Sequence, residues 1–408
     1  MAVELKEAQE ILLAHTKTVD TEYIDINNSY RRVLAESIIS DIDFPPFRRS
    51  PLDGYAVRSE DVKFATKENP IKLTQIDYVA AGSVAKHKVT TGTACKIMTG
   101  APLPEGADGI IRFEDTTSEG DNIYIQTGAN AHLNVCKQGE EISLNEEILL
   151  PGTQMNMGTM GMCAVLGRKK LLAFKKPKVT LLATGTEILP IDKPLEDGKI
   201  RNSNSYMLSA QVIEAGGEPI FLGEAPDDVD KIAKKIEDHL DCDIFISTGG
   251  ASVGDYDLIH EVYKKLGIKI LFERVKIKPG MPVLAGVKDG KLFIGLSGNP
   301  AAASIAFEQI VRPVLSKLGG RAKWFRKAVY ARMTTSFKKV SNAKRFIWAH
   351  CYQDSESREL WVDHLKLQGN GMLKSAMLAN SLIFLDENSK PVEKGSLVRV
   401  YLLDGFTS

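Results

Sequence analysis

The sequence predicts a multidomain α/β plus β protein with a central three-layer α/β domain whose sheet is mostly parallel. Three observations carry that reading. Between about 177 and 325, short apolar runs alternate with stretches of helical periodicity, the pattern of strands joined by crossover helices. From about 50 to 175, and again over the last 80 or so residues, the texture is of short β-prone runs broken by Gly, Pro and Asn, which is sheet and barrel material. The chain is 408 residues long, too long for one core, so two to four domains are expected.

Taken in order, Leu5, Ala8, Ile11 and Leu12 form an apolar stripe at helical spacing, predicting an amphipathic helix over about 4 to 16. A second helical segment is expected near 28 to 36, before Pro45 and Pro46 force an extended passage. In the first β-rich stretch, strands are expected in YAVR at 55 to 58, ADGIIRFE at 107 to 114 and DNIYIQT at 121 to 127, the last following a turn at Glu119-Gly120. The α/β stretch then reads as strands at 179 to 184, 219 to 223 and 243 to 248, each followed by a helix. A strand over 268 to 277 follows, then a hairpin turning at Lys288-Asp289-Gly290 and a helix carrying Ile305, Phe307, Ile310 and Val314. Strands at 345 to 353 and 396 to 405 make a small C-terminal β domain.

Lysine plus arginine and aspartate plus glutamate each total 52, so no broad nucleic-acid-binding face is implied, while a local anion site stays open. No run reaches 18 apolar residues, and the N-terminal MAVELKEAQEILLAHTK is acidic where an export signal is basic then apolar. A cytoplasmic chain without a membrane span is therefore expected. Cys95, Cys136, Cys163, Cys242 and Cys351 are dispersed without CxxC spacing, which reads as reduced thiols and gives no support to a zinc or iron–sulfur site.

Chemistry concentrates at three strand ends of the α/β domain: Ala183-Thr184-Gly185-Thr186-Glu187, Thr248-Gly249-Gly250-Ala251-Ser252-Val253-Gly254, and Leu296-Ser297-Gly298-Asn299-Pro300. The carboxyl edge of a parallel sheet is where such folds hold ligands. Glycine lets backbone amides approach an anion, and a following helix aims its amino end there, with Asn299 and Pro300 suited to the cap and first turn. One glycine loop alone is explained by tight turning; three at neighbouring strand ends point to a phosphate-like oxyanion. None matches the dinucleotide or P-loop fingerprint.

Carboxylates accompany the loops. They are Glu187, then Asp227 and Asp228 after the second strand, and Asp255 and Asp257 directly after the loop at 248 to 254. They are candidate oxygen ligands for Mg²⁺, although Asp227 or Asp228 equally suits the cap of the helix through Ile232. Arg274, Lys276 and Lys278 share one face of an extended strand and so supply cations toward one oxyanion, with Pro279-Gly280 turning directly after; a solvated strand face shows the same alternation. Asp53-Gly54 is compatible with a plain turn, and Gly139-Glu140-Glu141 with a solvated acidic pair.

Read together, SPLDGYAVR at 50 to 58, KIMTGAPLPEGAD at 96 to 108, TGTE at 184 to 187, TGGASVGDYD at 248 to 257, KPG at 278 to 280 and GLSGNP at 295 to 300 resemble the molybdopterin molybdotransferases over essentially the whole chain. The resemblance implies a homodimer of four-domain subunits. Residues 1 to 44 and 143 to 176 would form a discontinuous N-terminal domain around an inserted β domain at 45 to 142. A molybdopterin-binding α/β domain at 177 to 326 and a C-terminal β domain at 327 to 408 would follow.

The resemblance further implies insertion of molybdate-derived molybdenum into adenylylated molybdopterin with release of AMP. Asp53, Glu141, Glu187, Asp227 and Asp257 would be the functional acids, with Asp53, Glu187 and Asp257 on Mg²⁺. Thr99, Gly185, Gly249, Gly250, Ser252, Lys276, Lys278, Pro279, Gly280, Ser297, Gly298, Asn299 and Pro300 would bind the cofactor precursor. A molybdopterin adenylyltransferase and cofactor-accepting proteins are the implied partners. The chain departs from the family pattern at Glu141, where an aspartate is common, at Met281 for a lysine, at Ser297 for a proline, and at Asn370 for the serine of a GSG turn. Two alternatives stand beside this reading: an adenylyltransferase acting one step earlier, and a noncatalytic molybdopterin-binding scaffold.

Overall fold

Alternation along the strands decides how the α/β region is layered. Val179, Leu181, Ile244, Ile246, Leu292, Ile294, Val283 and Ala285 join one buried cluster, while Leu182, Phe245, Phe293 and Leu284 join another. Successive side chains of a strand point to opposite faces, so these strands are buried on both, as a sheet between two helical layers must be. In the computed structural model, which describes residues 2–249 and 256–403 with the side chains of Tyr256 and Asp257 left out, that sheet has seven strands. Their order is Ala2–Val3, Lys269–Val275, Pro282–Lys288, Lys291–Leu296, Ile244–Thr248, Lys178–Thr184 and Glu218–Ala225. The last four run parallel; the hairpin Pro282–Lys288/Lys291–Leu296 is antiparallel and turns on Asp289 and Gly290, both at positive φ. Helices Leu5–Ala14, Asn204–Glu214 and the run from Pro300–Ala306 to Arg312–Leu318 supply residues to the first cluster. Val229–Glu237 and Tyr256–Lys265 supply the second.

Two compact units make up the chain: Met1–Glu36, Pro151–Met160 and Lys169–Ser408 form one, and Ser37–Leu150 with Gly161–Arg168 the other. Besides the central sheet, the first unit holds a C-terminal sheet in which Lys344–Gln353, Leu360–His364, Ala328–Met333, Leu397–Leu402 and Ser381–Leu385 close into a barrel, Ser381–Leu385 pairing back to Lys344–Gln353. Its interior is filled by Ala331, Ile347, Cys351, Val362, Ile383 and Val400. The second unit is built on a six-stranded open sheet ordered Gly109–Arg112, Gly54–Val57, Thr93–Ile97, Ile71–Val79, Asn122–Ile125, Thr116–Glu119. Residues of Gly54–Val57 again divide between two buried clusters.

Two sequence expectations are corrected. The segment near 28 to 36 is not a helix beyond the single 3₁₀ turn Ile26–Asn28. Its N–H groups go elsewhere: Arg31 donates to Met155, Leu34 to Thr153 and Ala35 to Leu172, and Val33 and Leu34 form bridges to Gln154 and Ala173. Tertiary pairing overrides a local helical pattern. The expected single strand over 268 to 277 breaks after Val275. Lys276 donates its N–H to Val3, and Ile277–Lys278 leaves the central sheet to pair in parallel with Lys344 and Arg345 of the barrel.

Candidate active site

The ends of the strands Lys178–Thr184 and Ile244–Thr248 meet so closely that only glycine fits at Gly249, with Gly298 in contact beside it. At Gly249 (φ +101°) a Cβ would lie 2.0 Å from the Thr184 carbonyl oxygen, and at Gly298 a Cβ would lie 3.4 Å from Gly249 Cα. Gly185 closes the first end, its N–H donating to Ala225 at 3.1 Å. Asn204, in the first turn of its helix and 8% exposed, donates from Nδ2 to the Gly298 carbonyl at 2.8 Å. Its Oδ1 is buried without a hydrogen-bond partner, a polar atom left unsatisfied beside the loops, where such atoms accompany function. Gly250, Ser252 and Asp255 lie outside the described residues, and Asp257 is placed only as a residue of the helix Tyr256–Lys265.

The acids sort by their partners. Glu187 is exposed and folds back over the first loop: a Cβ on Gly185 would meet its carboxylate at 2.6 to 2.8 Å. Asp227 accepts from Thr186 N at 3.0 Å and Thr186 Oγ1 at 3.3 Å, which fixes that same loop. Asp228 is the helix cap, accepting from Asp230 N and Lys231 N. The backbone N–H of Lys231 and the charge on that residue hold the Asp228 carboxyl below its ordinary range. The sequence left the cap open between these two; the structure gives it to Asp228.

The third loop is arranged differently from expectation. Pro300 is the first helical residue and Asn299 the cap position, yet the Asn299 side chain makes no capping bond. Ser297 Oγ accepts from Asn299 N at 3.2 Å. The N–H groups of Ala301 and Ala302 both donate to the Asn370 carbonyl, at 3.0 and 3.2 Å, so these two donors are met by the Gly369-Asn370-Gly371 turn. Asn204 and Asn370 carried no signal beyond being polar residues at a helix start and in a glycine turn.

The cations divide as well. Lys276 Nζ lies 2.5 Å from Glu4 Oε1, and that hydrogen-bonded carboxylate raises the lysine's pKa. Lys278 is exposed and stands in register with Arg345. The expectation that Arg274, Lys276 and Lys278 share one strand face fails because they do not share one strand. Pro279 and Gly280 then press the turn onto the helix Pro300–Ala306, a Cβ on Gly280 (φ +95°) falling 2.8 Å from the Ala302 carbonyl oxygen. Arg345 was missed by sequence reasoning. Burial lowers its pKa, its Nε is buried with no hydrogen-bond partner, and only its strand register brings it to Lys278.

In the other compact unit, Asp53 and Thr99 form one device. Thr99 donates to Asp53 Oδ1 from both its backbone N and its Oγ1, each at 2.7 Å. These two bonds, the backbone one first, hold the half-buried Asp53 carboxyl below its ordinary pKa. The loops interlock through Gly100 N to Ser50 O at 2.8 Å and Ser50 N to Ala101 O at 3.0 Å. Gly54 is required because a Cβ would meet the Ile111 carbonyl oxygen at 2.0 Å. Glu140 closes its own turn by accepting from Lys137 N at 2.8 Å, while Glu141 beside it is exposed. Among the described residues no group of three or more His, Cys, Asp or Glu side chains is clustered as a metal site.

The chain is similar to known proteins along its length. Residues 3–167 match the profile of the MoeA N-terminal region (domain I and II), residues 180–317 that of the "Probable molybdopterin binding domain", and residues 330–403 that of the MoeA C-terminal region (domain IV). A molybdopterin molybdenumtransferase of Bacillus subtilis is 34% identical over 98% of this chain and 94% of its own length. One from Staphylococcus epidermidis is 33% identical over 98% and 96%. The crystal structure of a molybdopterin biosynthesis moeA protein from Pyrococcus horikoshii superposes with a TM-score of 0.86 at 33% identity, covering 98% of this chain and all of the other.

Proposed function

The chain belongs to the MoeA family of molybdopterin molybdenumtransferases, and from that premise we propose that it transfers molybdenum from molybdate to adenylylated molybdopterin and releases AMP. The observation that carries this reading is the convergence of Gly185, Gly249 and Gly298, which strips side chains from one sheet edge where a phosphate-bearing ligand needs backbone donors. With these, Gly250, Ser252, Ser297 and Asn299 would contribute to the cradle for the pyrophosphate linkage. Pro300 only starts the helix whose Ala301 and Ala302 N–H groups go to Asn370.

Roles follow from the partners each residue keeps. Asp227, bonded to Thr186, positions the first loop rather than touching the reacting atoms. Asp53 keeps its Oδ2 for chemistry while Thr99 occupies Oδ1. Asp53, Glu187 and Asp257 are single carboxylates of the kind Mg²⁺ takes together with water and substrate oxygens, and each is a candidate ligand for such an ion, which would neutralise phosphate charge. Lys278, with Arg345 in register and the Pro279-Gly280 turn behind it, supplies positive charge for an oxyanion. Lys276, already paired with Glu4, steadies the strand edge. Glu141 adds an exposed charge at the rim. Positioning and charge neutralisation carry the catalysis.

The domain plan we propose is 1–44 with 143–176, enclosing 45–142 and followed by 177–326 and 327–408. Buried clusters confined to 45–142 and to 327–408 support those two domains. Leu5, Ala8 and Leu12, by contrast, pack into the cluster of the central sheet, so the first helix belongs with the α/β domain. A homodimer fits the apolar surface left by Tyr206, Ile213 and Phe221, exposed by 48%, 61% and 44% on a helix and the edge strand beside it. Cytoplasmic residence fits five cysteines that form no disulfide. A molybdopterin adenylyltransferase would supply the substrate, and apoenzymes needing the cofactor would take the product.

The test is AMP release from purified adenylylated molybdopterin with Mg²⁺, with and without molybdate, with metal assayed in the pterin product. Molybdate-dependent AMP release matched by metal incorporation is the expected result. Pterin binding with neither product overturns it in favour of a scaffold, and ATP-dependent formation of the adenylylated pterin in favour of an adenylyltransferase.

A further inference from the structure

Although the chain is neutral overall, from Gln309 to Gln353 it carries eleven lysines and arginines and no acid. Part of that tract gathers around a cavity of about 320 Å³ lined by Arg31, Arg312, Arg321, Lys323, Arg326 and Lys327, with Glu214 the one acid among its lining residues. Arg31 and Arg321 also line an adjoining cavity of about 640 Å³. That second cavity reaches Glu218 and Pro219, where the edge strand begins. The glycine loops stand at the other ends of the same parallel strands, about 20 Å away for a seven-residue strand. These cavities are therefore not the site described above.

The guanidinium groups at the floor are fixed. Glu308, 5% exposed, accepts from Arg312 Nε at 2.8 Å and from Arg326 Nε at 2.6 Å, and Arg312 Nη2 reaches Glu214 Oε2 at 3.1 Å. Arg312 itself is 4% exposed. Buried charges held this way lose little further freedom when an anion arrives. Six cations against Glu214 and Glu308 leave an excess of four positive charges around a concave, partly enclosed space, a shape that focuses the field. Trp324 forms part of the wall, pinned by its Nε1 donating to the Arg321 carbonyl at 2.8 Å. Arg31, between the two cavities, holds φ +61°, a backbone cost that non-glycine residues bear where position matters. Its N–H donates to Met155 at 2.9 Å.

From this arrangement we infer that the paired cavities bind a small phosphate-bearing anion at the end of the sheet remote from the glycine loops. The concave form and the excess of positive charge around it suit a compact oxyanion. An acidic polypeptide would instead be met by mobile lysines on open surface.

Titration calorimetry of the full chain with inorganic pyrophosphate at low salt tests the inference. A binding event is expected that the double substitution Lys323→Glu, Lys327→Glu weakens by about tenfold or more. Molybdenum insertion without added pyrophosphate stays as in the unaltered chain. Arg31→Gly removes the charge while relieving the left-handed backbone, so it should fold at least as stably and bind as weakly. Absence of any pyrophosphate binding in the unaltered chain overturns the inference, as does binding that neither variant disturbs. A glutamate-rich peptide captured at these residues, with no affinity for pyrophosphate, overturns it in favour of a polypeptide partner.

Discussion

Both donors of Thr99 are spent on one oxygen of Asp53, and that arrangement sets the acid's charge and its direction at once. The folded pKa is depressed, so whatever depends on the carboxylate is present above the ordinary carboxyl value. It is lost only as pH falls through the lower folded value. Thr99→Val keeps the N–H and removes the hydroxyl. The acid limb of the pH–rate profile should then move to higher pH, and kcat should fall by about tenfold with KM little changed, because orientation rather than binding is lost. An unmoved acid limb would remove Thr99 from the role. Asp53 and Thr99 were each legible as candidates, but their pairing was not: they are 46 residues apart, and sequence spacing says nothing about two donors meeting one oxygen. Arg345 escaped for the same reason, since only a strand register connects it to Lys278.

Along single elements the reading was surest where one period governed several residues. The strands at 179 to 184 and 243 to 248 were recognisable because burial on both faces leaves continuous apolar runs, and the hairpin at Asp289-Gly290 because both turn residues tolerate positive φ. What escaped was set by distant chain. The strand from 268 breaks because Val3 and Lys344 claim its backbone, and the amino end of the Pro300–Ala306 helix is met by Asn370 rather than left to a ligand. Helix capping gives a test at this scale. Asp228→Ala removes two capping bonds to the Val229–Glu237 helix and should lower the melting midpoint by a few degrees while sparing turnover. Asp227→Ala, which frees Thr186, should leave the midpoint nearly unchanged and lower kcat by about tenfold. Thermal melts read beside initial rates separate the two, and the opposite pattern would reverse the assignment.

At the scale of the whole molecule, the proposed function assigns roles to acids in both compact units, and the proposed homodimer offers a test of how copies of the chain share them. Asp53 belongs to one compact unit and Glu187 to the other, and the distance between them along the chain carries no information about whether they serve together within one copy or across two. The proposed homodimer makes the alternatives measurable. When Asp53→Asn and Glu187→Gln chains are mixed and allowed to exchange at equal concentration, half of the dimers contain one of each. If a cleft takes Asp53 from one copy and Glu187 from the other, every mixed dimer has one cleft with both lesions and one with neither. The mixture should then recover about a quarter of the unaltered activity from two nearly inactive parents. If both acids come from the same copy, every cleft in the mixture carries one lesion, and activity stays at the level of the parents however complete the exchange. Exchange itself is followed independently, by mass measurement of a tagged chain in the mixed dimer, so that a failure to mix is not read as a failure to complement. Recovery to the expected level assigns the catalytic unit to the dimer. Confirmed exchange without recovery shows that Asp53 and Glu187 act within the same copy.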